Sequence, residues 1–153
     1  MTGDPIGPEE AVSAIRSGDT VMVGGFGLVG APLTLIDALV EESDAADLTI
    51  VSNNIGEPGR GLGKLLRQGR IRRGISSYFT SNPEAVAAVN AGAIQATLVP
   101  QGTFAEAIRA GGAGKIGHDC SWLGSAIGSM IHQDAPQNGQ LMARFPALFA
   151  GLA

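Results

Sequence analysis

Gln101 is the side chain in this sequence best placed for polar chemistry, because it follows the apolar segment Ile94–Val99 after a single proline. Ligand sites of open α/β sheets form beyond the carboxyl ends of the strands, and a side-chain amide there can donate to a developing oxyanion. Since Pro100 and Gly102 flank Gln101, the alternative interpretation is an ordinary polar residue of a turn. The sequence predicts a loop here and leaves both roles open.

A glycine-rich segment provides the second candidate site. Gly25–Gly30 has the form G-x-G-x-x-G and follows the predicted strand Thr20–Val23, so its backbone could approach a pyrophosphate. The dinucleotide fingerprint also needs an acidic residue at the end of the second strand, where this chain has Asn53 and Asn54. Asp47 lies at the opposite, leading end of that strand. A nicotinamide-binding oxidoreductase is therefore an alternative, as is a glycine turn with no ligand.

Basic residues cluster near a predicted helix. Arg60, Lys64 and Arg67 are spaced i, i+4 and i+7, and three arginines follow closely, at Arg70, Arg72 and Arg73. The cluster could attract a phosphate-bearing ligand. A solvated basic face of the helix is the more ordinary interpretation.

Three residues of the carboxyl-terminal part of the chain could in principle bind zinc. His118, Cys120 and His132 are of ligating types, but their spacing contains no repeated ligand pair and a structural site needs four ligands. The sequence therefore predicts no metal site.

Composition narrows the function classes. The chain has 153 residues, a net charge of −4 and only 16% charged residues, which predicts one domain with no nucleic-acid partner and with some surface covered by a partner protein. The uncharged stretch 85–105 contains Asn90, Gln95 and Pro100, so no membrane span is expected. A single cysteine and no secretory signal predict a cytoplasmic protein.

The elements that must position these residues alternate between helix and strand. Apolar periodicity, proline starts and glycine stops predict helices and strands in this order: helix 8–16, strand Thr20–Val23, helix 32–42, strand Leu48–Val51, helix 62–68, strand Ile75–Phe79, helix 83–90, strand Ile94–Val99, and a last helix opened by a Thr103–Glu106 capping box and ended by Gly111. This alternation predicts an α/β fold with an open, mostly parallel sheet flanked by helices.

Residues 115–153 have a different pattern. They carry few charges and no βα alternation, and only a weak helix at Leu123–Ile131 is predicted. We therefore divide the chain into an α/β core, 1–114, and a divergent apolar tail, 115–153.

Four motifs taken together resemble one known family. GGFGLVGAP (24–32), LTIVSNN (48–54), RRGISSYF (72–79) and PQGTFAEAIRAGGAG (100–114) agree in order and spacing with the A (alpha) subunit of family I CoA-transferases. The chain most resembles the succinyl-CoA:3-oxoacid and acetate CoA-transferase branch, and the resemblance covers about Pro8 to Gly114.

The resemblance implies a fold and a reaction. The fold would be the open α/β sheet of CoA-transferases and related NagB-like proteins. The enzyme would be a hetero-oligomer of A and B subunits, and would move CoA between short-chain carboxylic or 3-oxo acids. A glutamate of the B subunit would become a glutamyl-CoA thioester. No match to that glutamate motif occurs here, so this chain would be inactive without its B subunit, and its substrates would be acyl-CoA and a carboxylic acid.

The resemblance also implies roles for particular residues. Gln101 matches a family glutamine that lies beside the thioester carbonyl, where it would stabilise an oxyanion or position substrate. CoA binding is implied for the glycine segment, consisting of Gly24, Gly25, Phe26, Gly27, Leu28, Val29 and Gly30. Other matching loop residues would line the site, namely Asn53, Asn54, Gly111, Gly112, Ala113 and Gly114.

The match to the family motifs ends at Gly114. The family continues with a glycine-rich segment containing phenylalanine, threonine and proline, whereas this chain continues with 115–120, KIGHDC. We therefore expect a truncated or frameshifted A subunit, for which an inactive remnant is the alternative.

Overall fold

Helices and strands alternate along residues 6–112, the part of the chain that the computed structural model describes. In chain order they are α1 (Pro8–Val12), β1 (Thr20–Val23), α2 (Leu33–Glu42), β2 (Leu48–Ser52), α3 (Leu62–Arg67), β3 (Ile71–Ser76), α4 (Pro83–Asn90), β4 (Gln95–Leu98) and α5 (Gln101–Gly112). The strands form one parallel sheet in the order β1-β2-β3-β4. The predicted open α/β fold is confirmed.

Strand β2 shows why the sheet forms as it does. Each of its five residues is buried, as expected for a parallel strand covered on both faces. Leu48 and Ile50 pack on one face, and Val51 packs on the other. β2 pairs with β1 from Thr20↔Thr49 to Val23↔Ser52, so these two strands end side by side.

The two faces of the sheet are covered differently. Residues of α1, α2, α3 and α4 pack on one face with Leu48, Ile50 and Phe79. On the opposite face, Phe104 and Ala107 of α5 pack with Val51 of β2, Ile75 of β3 and Val99, the residue directly after β4. Within residues 6–109, the second face is thus covered by one helix.

Strand β3 differs from its predicted bounds, Ile75–Phe79. Its pairing with β2 steps from Leu48↔Ile71 to Thr49↔Arg73, so Arg72 is an unpaired bulge residue that places Ile71 and Ile75 on opposite faces. Because of the bulge, apolar residues of β3 do not alternate with polar ones along the sequence, and this alternation is the pattern by which a strand is predicted. The strand therefore begins earlier and ends earlier than the apolar run indicates.

Helix α1 is shorter than predicted. It ends at Val12 instead of continuing to Arg16, and Ile15 closes a tighter turn by donating its main-chain N–H to the Val12 carbonyl at 3.0 Å. Ile15 is nevertheless buried, so its apolar character reports packing and not helix length.

The observed bounds of α5 correct three expectations from the sequence. The helix begins at Gln101, and Phe104 N donates to Pro100 O at 2.8 Å, so Gln101 is the first helical residue and does not lie in a loop. Thr103 is therefore inside the helix, and Glu106 pairs with Arg109 instead of closing a capping box. Gly111 does not end the helix, which extends to Gly112.

The tail 115–153 and its predicted helix Leu123–Ile131 lie outside the described residues. Within residues 6–112, no helix is both long and apolar enough to cross a membrane.

Candidate functional site

The carboxyl ends of the four parallel strands place the candidate residues along one edge of the sheet. The glycine segment follows β1, Asn53 and Asn54 follow β2, and Gln101 lies three residues after the end of β4. This edge is where open α/β sheets bind ligands. Residues far apart in sequence are brought together there.

Asn53 and Gln101 are in direct contact. The Asn53 Nδ2 group donates to Gln101 Oε1 at 2.8 Å and to Ser77 Oγ at 2.9 Å, and Ser77 Oγ donates to the Asn53 main-chain oxygen at 3.0 Å. Asn53 is buried, whereas Gln101 is exposed. The ends of three strands thus contribute to one hydrogen-bonded group that terminates in an exposed amide.

Asn54 lies beside the glycine segment. Its Oδ1 accepts from Gly56 N at 2.9 Å, and its Nδ2 group lies 3.4 Å from the Tyr78 hydroxyl. A Cβ at Gly27 would lie 3.9 Å from the same Nδ2 atom. The ring of Tyr78 is 6.3 Å from that of Phe26, centroid to centroid. Gly27 and Phe26 are therefore neighbours of the polar edge.

The glycine segment forms a projecting turn. Phe26 and Val29 exchange main-chain hydrogen bonds of 2.9 and 3.1 Å, and their exposed fractions are 68% and 79%. Gly25 has φ +120°, and a Cβ there would lie 2.9 Å from Ala31 N, so the turn itself requires this glycine. The segment presents backbone and two apolar side chains to solvent.

This geometry differs from a dinucleotide-binding turn. In that motif a helix begins at the glycines, whereas α2 begins at Leu33, after Ala31 and Pro32. The position of the ribose-binding acid is occupied by Asn53, a neutral amide that already donates twice. The nicotinamide alternative has no support in this edge of the sheet.

The basic cluster near α3 is largely paired with carboxylates. Glu57 pairs with Arg60 at 3.3 Å and Asp37 with Lys64 at 2.7 Å, and a third pair joins Arg67 to Glu84 at 2.6 Å. The hydrogen bond from Arg67 lowers the pKa of Glu84. These pairs fit the solvated-face interpretation better than a phosphate site.

Two of the remaining arginines also have structural partners. Arg70 is buried and donates through Nε to Ala45 O at 2.7 Å, and its burial lowers the pKa of the guanidinium. Arg73 donates to Thr97 Oγ1 at 2.9 Å and so joins β3 to β4. These contacts stabilise the sheet.

Several residues weighed as candidates from the sequence cannot be placed at this edge. Gly111 and Gly112 are the last two residues of α5, whereas Ala113, Gly114, His118, Cys120 and His132 lie outside the described residues. No group of three or more potential metal ligands occurs within residues 6–112.

Ser77 and Tyr78 are members of this edge that the sequence pattern missed. Both main-chain N–H groups are directed at the Asn53 carbonyl oxygen, at 3.0 and 3.4 Å. The apolar run predicts a strand through Phe79, which assigns both residues to its interior. In the structure the strand ends at Ser76, so both residues lie beyond it.

The fold and this edge together define an open, parallel α/β protein with an amide-rich site at the carboxyl ends of its strands. Residues 7–137 match the model of the coenzyme A transferase family. The chain belongs to that family.

Individual relatives agree with this assignment. The chain is 52% identical over 105 residues to the A subunit of a probable succinyl-CoA:3-ketoacid coenzyme A transferase of Mycobacterium bovis, a match that covers 69% of this chain and 42% of the relative. It is 42% identical over 106 residues to the alpha subunit of the acetate CoA-transferase of Escherichia coli K12, covering 69% and 48%. The chain thus spans less than half the length of these relatives.

Solved structures show the same fold. An acyl-CoA transferase of Escherichia coli O157:H7, determined as a thioester complex with CoA, superposes with a TM-score of 0.62 at 25% identity. That match covers 73% of this chain and 23% of the other.

Proposed function

We propose that this chain is the A subunit of a CoA-transferase that moves CoA between short-chain carboxylic or 3-oxo acids. The observation that carries the proposal is the contact between Asn53 and Gln101, which directs an exposed amide to the ligand-binding edge of the sheet. Membership of the coenzyme A transferase family supports it. So do the relatives that are named as A or alpha subunits.

Gln101 is the proposed oxyanion donor and substrate-positioning residue. Asn53 Nδ2 occupies its Oε1 atom, so its Nε2 protons are the part of the amide left to donate. A thioester oxygen that gains negative charge in the transition state would be stabilised by such a donor. Helix α5 fixes the position of Gln101 because Phe104 and Ala107 are buried against the sheet.

The glycine segment is the proposed CoA-binding element. Its turn projects Phe26 and Val29 into solvent beside Tyr78, and so offers apolar contacts together with accessible backbone. Asn54 follows β2 next to Gly27 and would line the same region. The family resemblance alone supports a site-lining role for Gly111, Gly112, Ala113 and Gly114.

The nucleophile is proposed to be a glutamate of the B subunit. Its carboxylate attacks the acyl carbon, and the bond from that carbon to the CoA sulfur breaks. The released thiolate then attacks the glutamyl carbon, so that sulfur becomes bonded to it and the acyl group leaves as a free carboxylate that carries one oxygen from the glutamate. The second acid reverses the exchange. Covalent catalysis of this kind divides one difficult transfer into two easier steps. The working enzyme would be a cytoplasmic hetero-oligomer.

Intact-mass spectrometry tests the division of labour. The chain is mixed with its B subunit, incubated with an acyl-CoA and no acceptor acid, and both polypeptides are weighed. We expect the B subunit to gain one CoA and this chain to gain none, and addition of a carboxylate acceptor should remove the CoA. CoA attached to this chain would contradict the assignment, as would turnover by this chain alone.

A further inference from the structure

The hydrogen bonds around Asn53 have a direction. Ser77 has one hydroxyl proton, and it goes to the Asn53 main-chain oxygen at 3.0 Å, which can only accept. In this arrangement Ser77 Oγ accepts from the Asn53 NH2 group at 2.9 Å, while the Asn53 main-chain oxygen also accepts from the main-chain N–H groups of Ser77 and Tyr78. A main-chain carbonyl thus determines which end of the Asn53 amide points toward the site.

The orientation of the Asn53 amide in turn determines the orientation of the Gln101 amide. The second proton of the Asn53 NH2 group is directed at Gln101, 2.8 Å away, where only an oxygen can receive it. The Gln101 amide must then turn its carbonyl inward and its NH2 outward. In the opposite orientation, Gln101 would present an acceptor that repels a thioester or carboxylate oxygen.

Asn53 is the buried member of this hydrogen-bonded group. Asn53 is only 7% exposed, and its Oδ1 atom is buried with no hydrogen-bond partner among the described residues. An unsatisfied buried oxygen is costly, so it has to be offset by the bonds that the NH2 group makes. Gln101 is exposed, and its inner end is the part that Asn53 holds.

We propose that Ser77 and Asn53 are positioning residues that keep the Gln101 amide in its donor orientation, so that this edge of the sheet selects ligands with an acceptor oxygen. This inference rests on the function proposed above, because it assigns the donor role to Gln101. Ser77 and Asn53 act through Gln101 and need not touch the reacting atoms.

Nuclear magnetic resonance of the side-chain amides tests the direction without any activity. In the full 153-residue chain labelled with 15N, the Asn53 Nδ2 protons should exchange slowly with water, and the Gln101 Nε2 protons should exchange fast. Ser77→Ala should speed exchange at Asn53 by roughly tenfold, as loss of one hydrogen bond predicts. Ser17→Ala is the matched control, since its hydroxyl accepts from Ala46 N at the opposite edge.

A second test uses the complex with the B subunit. A carboxylate at position 53 only accepts, so Asn53→Asp should turn the Gln101 NH2 inward and reduce turnover about as much as Gln101→Ala. Because both changes remove one donor, the double variant should lose little more turnover than either single variant. KM for acyl-CoA should change less than turnover does.

The outcomes separate the two proposals. Fast exchange at Asn53 with slow exchange at Gln101 would overturn the positioning roles, whatever Gln101 does in catalysis. Losses that multiply in the double variant would overturn them as well. Normal turnover in Gln101→Ala would instead overturn the donor role of Gln101, and the inference that depends on it.

Discussion

Asn53 and Asn82 are both buried asparagines, but their partners differ in kind. Asn82 is completely buried, accepts at 3.0 and 3.4 Å from the main-chain N–H groups of Glu84 and Ala85, and donates to Ile55 O at 3.0 Å. Asn53 donates to two side chains and leaves its Oδ1 without a partner among the described residues.

Under the roles proposed above, the difference separates a structural amide from a functional one. Asn82 caps α4 and joins that helix to the loop after β2, so each of its bonds belongs to the fold. The bonds of Asn53 lead outward to Ser77 and Gln101, which are half-buried and exposed. A buried amide that tolerates an unsatisfied oxygen while orienting an exposed side chain points to a ligand site.

The largest expected effect is a loss of turnover when the hydrogen-bonded group of Asn53, Ser77 and Gln101 is changed. In a complex with the B subunit, Gln101→Ala should lower turnover by about 10²–10³, roughly 2.7–4 kcal/mol, because one oxyanion donor is lost. Steady-state kinetics per folded active site measures this loss, alongside the melting temperature. Gln95→Ala, the same change at an exposed position of β4, is the control and should retain turnover. A lowered melting temperature with normal turnover would make Gln101 a structural residue.

The next largest effect is a loss of folding stability when Asn82 is replaced. Asn82→Ala should lower the free energy of unfolding by about 2–4 kcal/mol, since it removes a helix cap and leaves the Ile55 oxygen without its donor. Asn53→Ala should cost only about 1 kcal/mol, because water can reach its partners. Urea unfolding of both variants compares them. Equal losses would erase the distinction between the two amides.

Replacing Asn82 by aspartate sharpens the same comparison. A carboxylate keeps the acceptor that caps α4 but removes the donor to Ile55 O. Asn82→Asp should therefore remain destabilised, with the carboxylate facing a carbonyl oxygen. Urea unfolding measures this too, and stability equal to that of the unmodified chain would show that the cap alone explains the burial of Asn82.

A smaller effect is expected where the glycine segment meets Asn54. Gly27→Ala places a methyl group beside Asn54 Nδ2 and should weaken CoA binding about tenfold, equivalent to roughly 1.4 kcal/mol. Gly92→Ala is the matched control, because Gly92 has a similar φ of +71° and open space around its Cβ, but lies in the turn after α4 and outside the glycine segment. Calorimetric titration with CoA measures both. Equal affinities would place the ligand away from Gly27.

The smallest expected effect is the loss of the ion pair between Arg67 and Glu84, a residue of the helix that Asn82 caps. Hydrogen bonding from Arg67 lowers the pKa of Glu84 below its ordinary value of 4.5, so the stabilisation from this pair is present above pH 4.5 and is lost as the pH falls through the lowered value. Glu84→Gln should lower the melting temperature slightly at pH 7. Melting curves at falling pH should converge for the two proteins; a difference that persists in acid would have another cause.

Local patterns predicted most of the elements. Thr20–Val23 is a strand with the predicted bounds, and the helix after Asn82 begins at Pro83 as its cap and proline indicate. Strand β3 could not be delimited, because Arg72 is a bulge residue and Gly74 interrupts the apolar run. No local pattern contains that pairing.

The site was predictable only in part. Asn53, Asn54 and Gln101 follow recognisable strands, so their common edge could be predicted. The contact between Asn53 and Gln101 spans 48 residues, and the contact to Ser77 depends on where β3 ends. Burial and hydrogen-bond direction are properties of the packed sheet, so the roles proposed for Ser77 and Asn53 could not be predicted from the sequence.

Helix α5 carries Gln101 at its first residue and docks on the sheet through a small cluster that includes Phe104 and Ala107. A ligand that binds Gln101 only when α5 is docked on the sheet would stabilise the docked helix. At free ligand concentration [L] and dissociation constant Kd, the added docking free energy is RT ln(1 + [L]/Kd). The linkage is reciprocal, so substitutions that weaken the packing of Phe104 or Ala107 would also weaken ligand binding at Gln101. Any opening of α5 would raise the apparent Kd by the inverse of the docked fraction, whatever the quality of the polar contacts.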